Sequence, residues 1–125
     1  MIISVLTAMI LLFGVHCIAD YPFQPDFLAK YKRTSYYILA CHCAIIYTLV
    51  VTVGLFVTSI FMGLDIHNWF WIVIAIFLSH TIIDKWRCTH GEDPENDDDV
   101  IRSYFYVDQS LHMLVIYAAF FCLLM

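Results

Sequence analysis

Six of the residues in this chain that can do chemistry are paired by spacing. His16 and Asp20 lie four positions apart, as do His80 and Asp84, and as do Asp108 and His112. On a helix of 3.6 residues per turn, positions i and i+4 share a face, so each pair can aim an imidazole and a carboxylate at one point. His42 adds a fourth imidazole. Imidazole nitrogen and carboxylate oxygen together suit zinc, and also manganese or iron. The predicted metal ligands are His16, His42, His80, His112, Asp20, Asp84 and Asp108. Asp20, Asp84 and Asp108 are also the candidate catalytic carboxylates. Seven donors exceed the needs of one tetrahedral ion. Either carboxylates orient the histidines of one metal, or two metals share the ligands. The chain lacks the Glu-x-x-His pattern of di-iron bundles, which favours zinc.

The segments carrying these residues are strongly apolar. Of 125 residues, 62% are hydrophobic and 14% charged, against about 45–50% and about 25% in an average soluble domain. Mean hydropathy is +0.81. These values exclude a water-soluble fold, a disordered chain and a disulfide-stapled scaffold. Four stretches are long enough to span a bilayer, at about 2–19, 36–62, 68–83 and 104–125. Together they predict a single all-α domain, an integral membrane antiparallel four-helix bundle. Proline in Tyr21-Pro22-Phe23-Gln24-Pro25 stops the first helix, and Gly63-Leu64-Asp65 reads as a tight turn. The first span lacks the basic flank and Ala-x-Ala site of a cleaved signal peptide and is read as retained.

Ionisable groups within a span are costly and are functional candidates by default. In this topology the two His-x-x-x-Asp pairs arrive at one membrane face, and His42 and Asp108-x-x-x-His112 leave from it. All six basic residues, Lys30, Lys32, Arg33, Lys85, Arg87 and Arg102, fall in or beside the loops at that face. The positive-inside rule therefore puts the His/Asp cluster toward the cytoplasm and both termini on the outer side. The bland account of each residue is a histidine bonded to a neighbouring helix, or a carboxylate reaching the interface; three pairs at one face weigh against it.

Other signals are weaker. Net charge is −5, so no nucleic-acid partner is expected. Cys41-His42-Cys43 resembles a chelator, but adjacent helical residues diverge by about 100°, and the thiols read as buried apolar groups. Cys88-Thr89-His90 reads as a loop. The acidic run 92–99 lacks the order of a calcium loop and reads as a solvated connector. Tyr21, Phe23, Trp86, Tyr104 and Tyr106 fit an interfacial belt at one face, and Trp69 and Trp71 at the other. Thr48, Thr52, Gly54, Thr58 and Ser59 suit close helix packing, which also makes a homo-oligomer feasible. Lys85, Lys30 and Gln24 can hold an anionic group, although snorkelling explains the lysines as well.

The ordered set His16-x-x-x-Asp20-aromatic-x-x-Gln24, His80-x-x-x-Asp84-Lys85 and Asp108-Gln109-x-x-His112 resembles a family of small bacterial and phage membrane proteins of unknown function. The resemblance covers nearly the whole chain and implies a phage or prophage origin and a bacterial inner membrane, without an activity. More loosely, the motifs are similar to those of inner-membrane metal-dependent hydrolases. The expected function is a membrane-embedded metal-dependent hydrolase acting on a lipid or phosphate-bearing substrate near the cytoplasmic face. The rival expectations are a proton or metal-ion transporter, and a non-enzymatic phage membrane factor whose metal is structural.

Overall fold

The computed structural model describes residues 2–21, 26–91 and 96–125. Gln24, the proline pair around it and the first half of the acidic run lie outside the described residues. The described residues are mostly helical, with no strand among them. It forms α1 (Ile2–Asp20), α2 (Asp26–Tyr31), α3 (Tyr36–Cys41), a π-helical segment (His42–Thr48), α4 (Leu49–Met62), α5 (Trp69–His90) and α6 (Asp98–Leu124).

Three continuous stretches are long and apolar enough to cross a membrane: Tyr36–Met62, Trp69–His90 and Asp98–Leu124. The first joins α3, the π segment and α4 end to end. The 19-residue α1 is a shorter apolar helix, about 28 Å long at 1.5 Å per residue, close to the roughly 30 Å of a bilayer's hydrocarbon core.

Helix ends follow local chemistry. Gly63 closes α4 with φ of 65°, the left-handed conformation glycine adopts without a Cβ clash. Its amide donates to the Ile60 carbonyl, and that of Leu64 to Ser59, so the expected turn is present. The Asp97 carboxylate caps α6 by accepting from the Val100 amide at 2.9 Å, with Asp98 and Asp99 in the first turn, where the helix dipole favours negative charge.

Two boundaries differ from expectation. α5 continues past Ile83 to His90, and α6 begins at Asp98 rather than near residue 104. Apolar run length measures membrane thickness, whereas a helix continues into water wherever its backbone bonds do. Cys88-Thr89-His90 is therefore the last turn of α5 and not a loop. The stretch between α1 and α3 also carries α2, unforeseen from the sequence.

α1 packs on α4 and on α6, and α5 packs on α6 and on the π segment. The α1–α4 crossing is close: a Cβ on Gly54 would lie 2.6 Å from Val15 Cγ1. The apolar core is built from Ala8, Leu12, Val51, Leu55, Ile72, Ile76, Ile116 and Phe120. Ile10, Phe13, Ile60, Phe61, Phe70, Ile82 and Leu114 face outward, as lipid-facing positions do. The polar residues Thr52, Thr58, Ser59, Ser79 and Thr81 donate back to carbonyls of their own helices, so they need no partner from another helix.

Candidate metal centre

One end of the core is polar. His16, His42, His80, His112, Asp84 and Asp108 are at most 1% exposed, and Asp20 is 6% exposed. All seven residues singled out by spacing thus meet in one buried cluster.

The cluster has an organising amide, Gln109. Its Nε2 donates to Asp20 Oδ2 at 3.1 Å and to Asp108 Oδ2 at 3.0 Å. Two carboxylate acceptors fix the amide's orientation, so its Oε1 faces His16 Nε2 at 2.9 Å. His16 must then donate from Nε2. Its Nδ1 is left to accept from the Tyr47 hydroxyl at 2.8 Å. Both ring nitrogens of His16 are therefore committed to protein partners. In this arrangement His16 orients Gln109.

Tyr47 also stacks on the His80 ring, with centroids 3.4 Å apart and planes 5° from parallel. Winding explains its place. Tyr47 is five residues after His42, a spacing that diverges on an α-helix. The π segment bonds i to i+5 and brings both residues into the cluster.

The remaining donors have the spacing of a coordination sphere. His42 Nε2 lies 3.3 Å from His80 Nε2, 3.6 Å from Asp20 Oδ1 and 3.6 Å from Asp84 Oδ2. His80 Nε2 lies 3.7 Å from Asp84 Oδ2. Two donors each about 2.0–2.2 Å from one tetrahedral ion sit about 3.3–3.6 Å apart. On the other side, His112 Nε2 lies 3.7 Å from Asp84 Oδ1, and its Nδ1 lies 3.6 Å from Asp108 Oδ1. The groups Asp20–His42–His80, Asp20–Asp108–His112 and Cys43–His80–Asp84 each bring one donor atom per residue within 4.8 Å of the others. These buried groups could hold a metal ion. Cys43, read from the sequence as an apolar thiol, is therefore beside the cluster, whereas Cys41 belongs to none of the three groups.

Two observations fit an ion. Neither ring nitrogen of His112 has a hydrogen-bond partner among the described residues, and neither has Asp108 Oδ1. Burying such atoms unsatisfied costs about 1–3 kcal/mol each, which coordination would offset. The donor set also mixes imidazole and carboxylate, the ligands of zinc, manganese and iron sites.

Two cations flank the carboxylates. Lys32 Nζ donates to Asp84 Oδ2 at 2.9 Å, with side chains 7% and 1% exposed. Burial alone would lower the lysine pKa; the Asp84 carboxylate outweighs it and holds the ammonium above its ordinary range. Arg87 Nη1 lies 3.3 Å from Asp108 Oδ2. Lys32, Arg87, Tyr47 and Gln109 received no role from the sequence, whereas the candidates Lys30 and Lys85 stack on Tyr31 and Tyr36.

The family described as Protein of unknown function (DUF3307) matches residues 7–125. This chain belongs to that family. The match begins before His16 and spans every residue of the cluster. No curated protein and no solved structure matches the chain.

Proposed function

We propose that this protein is an integral membrane antiparallel four-helix bundle with a divalent-metal centre, zinc by preference, that hydrolyses a lipid or phosphate-bearing substrate. The observation that carries the reading is the donor set itself. Three imidazoles and three carboxylates from four separate helical stretches lie at mutual distances suited to coordination, deep among apolar side chains.

His42, His80, His112, Asp20, Asp84 and Asp108 would hold the metal. Bound there, a divalent ion would supply an acidified water near neutral pH and would polarise a phosphoryl or acyl oxygen. Gln109, oriented by His16, keeps Asp20 and Asp108 in place. Asp20 serves as a ligand rather than as the general base, because its Oδ2 accepts from Gln109 and its Oδ1 lies 3.6 Å from His42 Nε2. Lys32 and Arg87 stand beside Asp84 and Asp108, where an anionic phosphate group would meet positive charge. The basic residues gather at this end of the bundle, which supports a cytoplasmic orientation with both termini periplasmic.

Transport needs polar groups at successive depths. Beyond the cluster the interior is closed by Leu12, Leu55, Ile76, Ile116 and Phe120, each at most 1% exposed, which favours chemistry from one side over a conduit. The tightness of the cluster favours a second reading, in which the metal only ties the helices together.

The test is the full chain in lipid nanodiscs, analysed for zinc, manganese and iron, and then assayed for phosphate release from nanodiscs containing phosphate-headgroup lipid. Stoichiometric metal lost in His80→Ala, with release that also depends on His80, is expected. Metal without hydrolysis selects the structural role, and metal-free wild-type protein removes both readings.

A further inference from the structure

The donors do not share one focus. Asp84 turns its Oδ2 toward His42 and His80 and its Oδ1 toward His112. Asp20 is common to the His42–His80 group and to the Asp108–His112 group. Of the remaining donors, His42 and His80 face Asp84 Oδ2 and His112 faces Asp84 Oδ1 and Asp108, with the His80 and His112 rings 4.4 Å apart, close enough for two ions to be neighbours. His112 is 1% exposed and has no hydrogen-bond partner on either ring nitrogen among the described residues. A single ion bound by His42 and His80 would leave it so.

We propose that the centre is dinuclear. One divalent ion is held by His42 and His80, a second by His112 and Asp108, and the carboxylates of Asp20 and Asp84 bridge them. The inference rests on the metal-binding reading above and adds ion number and ligand assignment to it. A carboxylate has two oxygens and about four lone-pair directions, so Asp84 can bridge and still accept from Lys32. Bridged pairs of this kind sit about 3.5–4 Å apart and clamp both the attacking and the leaving oxygen of a phosphoryl transfer. Charge fits that substrate class. Three carboxylates against Lys32 and Arg87 leave one negative charge; two divalent ions make it three positive, a strong attractor for a phosphate dianion.

The experiment uses the full chain in detergent or nanodiscs, loaded with zinc for elemental analysis and with manganese for electron paramagnetic resonance. Wild type should carry two ions per chain, and His112→Gln and His42→Gln one each. Manganese in the wild type should give an exchange-coupled spectrum that Asp84→Asn weakens and Asp20→Asn with Asp84→Asn abolishes. One ion per chain, lost in both histidine variants, or the hyperfine pattern of isolated manganese, overturns the dinuclear proposal while leaving a mononuclear centre standing. No bound ion overturns the metal reading as well. The wild-type spectrum decides between one ion and two even if a variant fails to fold.

Discussion

Replacing Gln109 by leucine tests whether one amide holds the cluster together. The change removes three hydrogen bonds: one from His16 and one to each of Asp20 and Asp108. Bonds to charged groups in soluble proteins are worth about 1.5–3 kcal/mol. Bonds between transmembrane helices average about 0.6 and reach about 1.7 kcal/mol, because the unfolded chain in the membrane also finds partners. Gln109 is only half-buried, which lowers the sum again. The expected loss is about 1.5–4 kcal/mol in reversible unfolding in mixed micelles, with the chain metal-free. Tyr47→Phe removes one neutral bond to the same histidine and should cost about 1 kcal/mol. Because Gln109 orients two carboxylates, its loss should also weaken metal binding about 10–100-fold, as changes beyond the ligands do elsewhere. A Gln109→Leu chain no less stable than Tyr47→Phe, with metal affinity unchanged, would refute a clamping role for Gln109.

Three further outcomes are expected. Lys32→Met leaves Asp84 buried beside one cation fewer, a change that costs about 3–5 kcal/mol when a buried pair is broken; unfolding midpoints should fall more in chelator than in zinc, and equal falls would contradict a metal next to Asp84. Gly54→Val should weaken the α1–α4 crossing by about 1–3 kcal/mol through overpacking against Val15, whereas Gly14→Ala, with open space around its Cβ position, should cost less than the crossing variant in the same unfolding assay. Zinc at about a hundredfold over its dissociation constant should raise stability by about 2.7 kcal/mol, reversed by chelation; a midpoint indifferent to chelator speaks against a bound ion.

The i,i+4 pairs and His42 were legible because helical periodicity fixes which residues share a face, and a membrane makes every buried charge conspicuous. Their partners were not. Tyr47 lies off the His42 face under ordinary α winding, and only the π segment brings it in. Lys32 reads as one of several interfacial lysines until α2 turns the chain and buries it against Asp84. Gln109 stood in the motif, but an amide carries no charge to flag its role. His16 was legible as a cluster member from its spacing, but its bonds to Tyr47 and Gln109 were not. The ends of α5 and α6 were misplaced for a related reason, since charged residues end a span without ending a helix.

Imidazoles and carboxylates from separate helices stand close enough to converge on a bound metal. The most direct test is an anomalous-scattering map of the wild-type protein crystallised with zinc and recorded on either side of the zinc absorption edge. The account predicts strong peaks within bonding distance of His42 Nε2, His80 Nε2 and His112. A well-ordered cluster with no anomalous density among these side chains, or a zinc peak found only at surface residues, would contradict it.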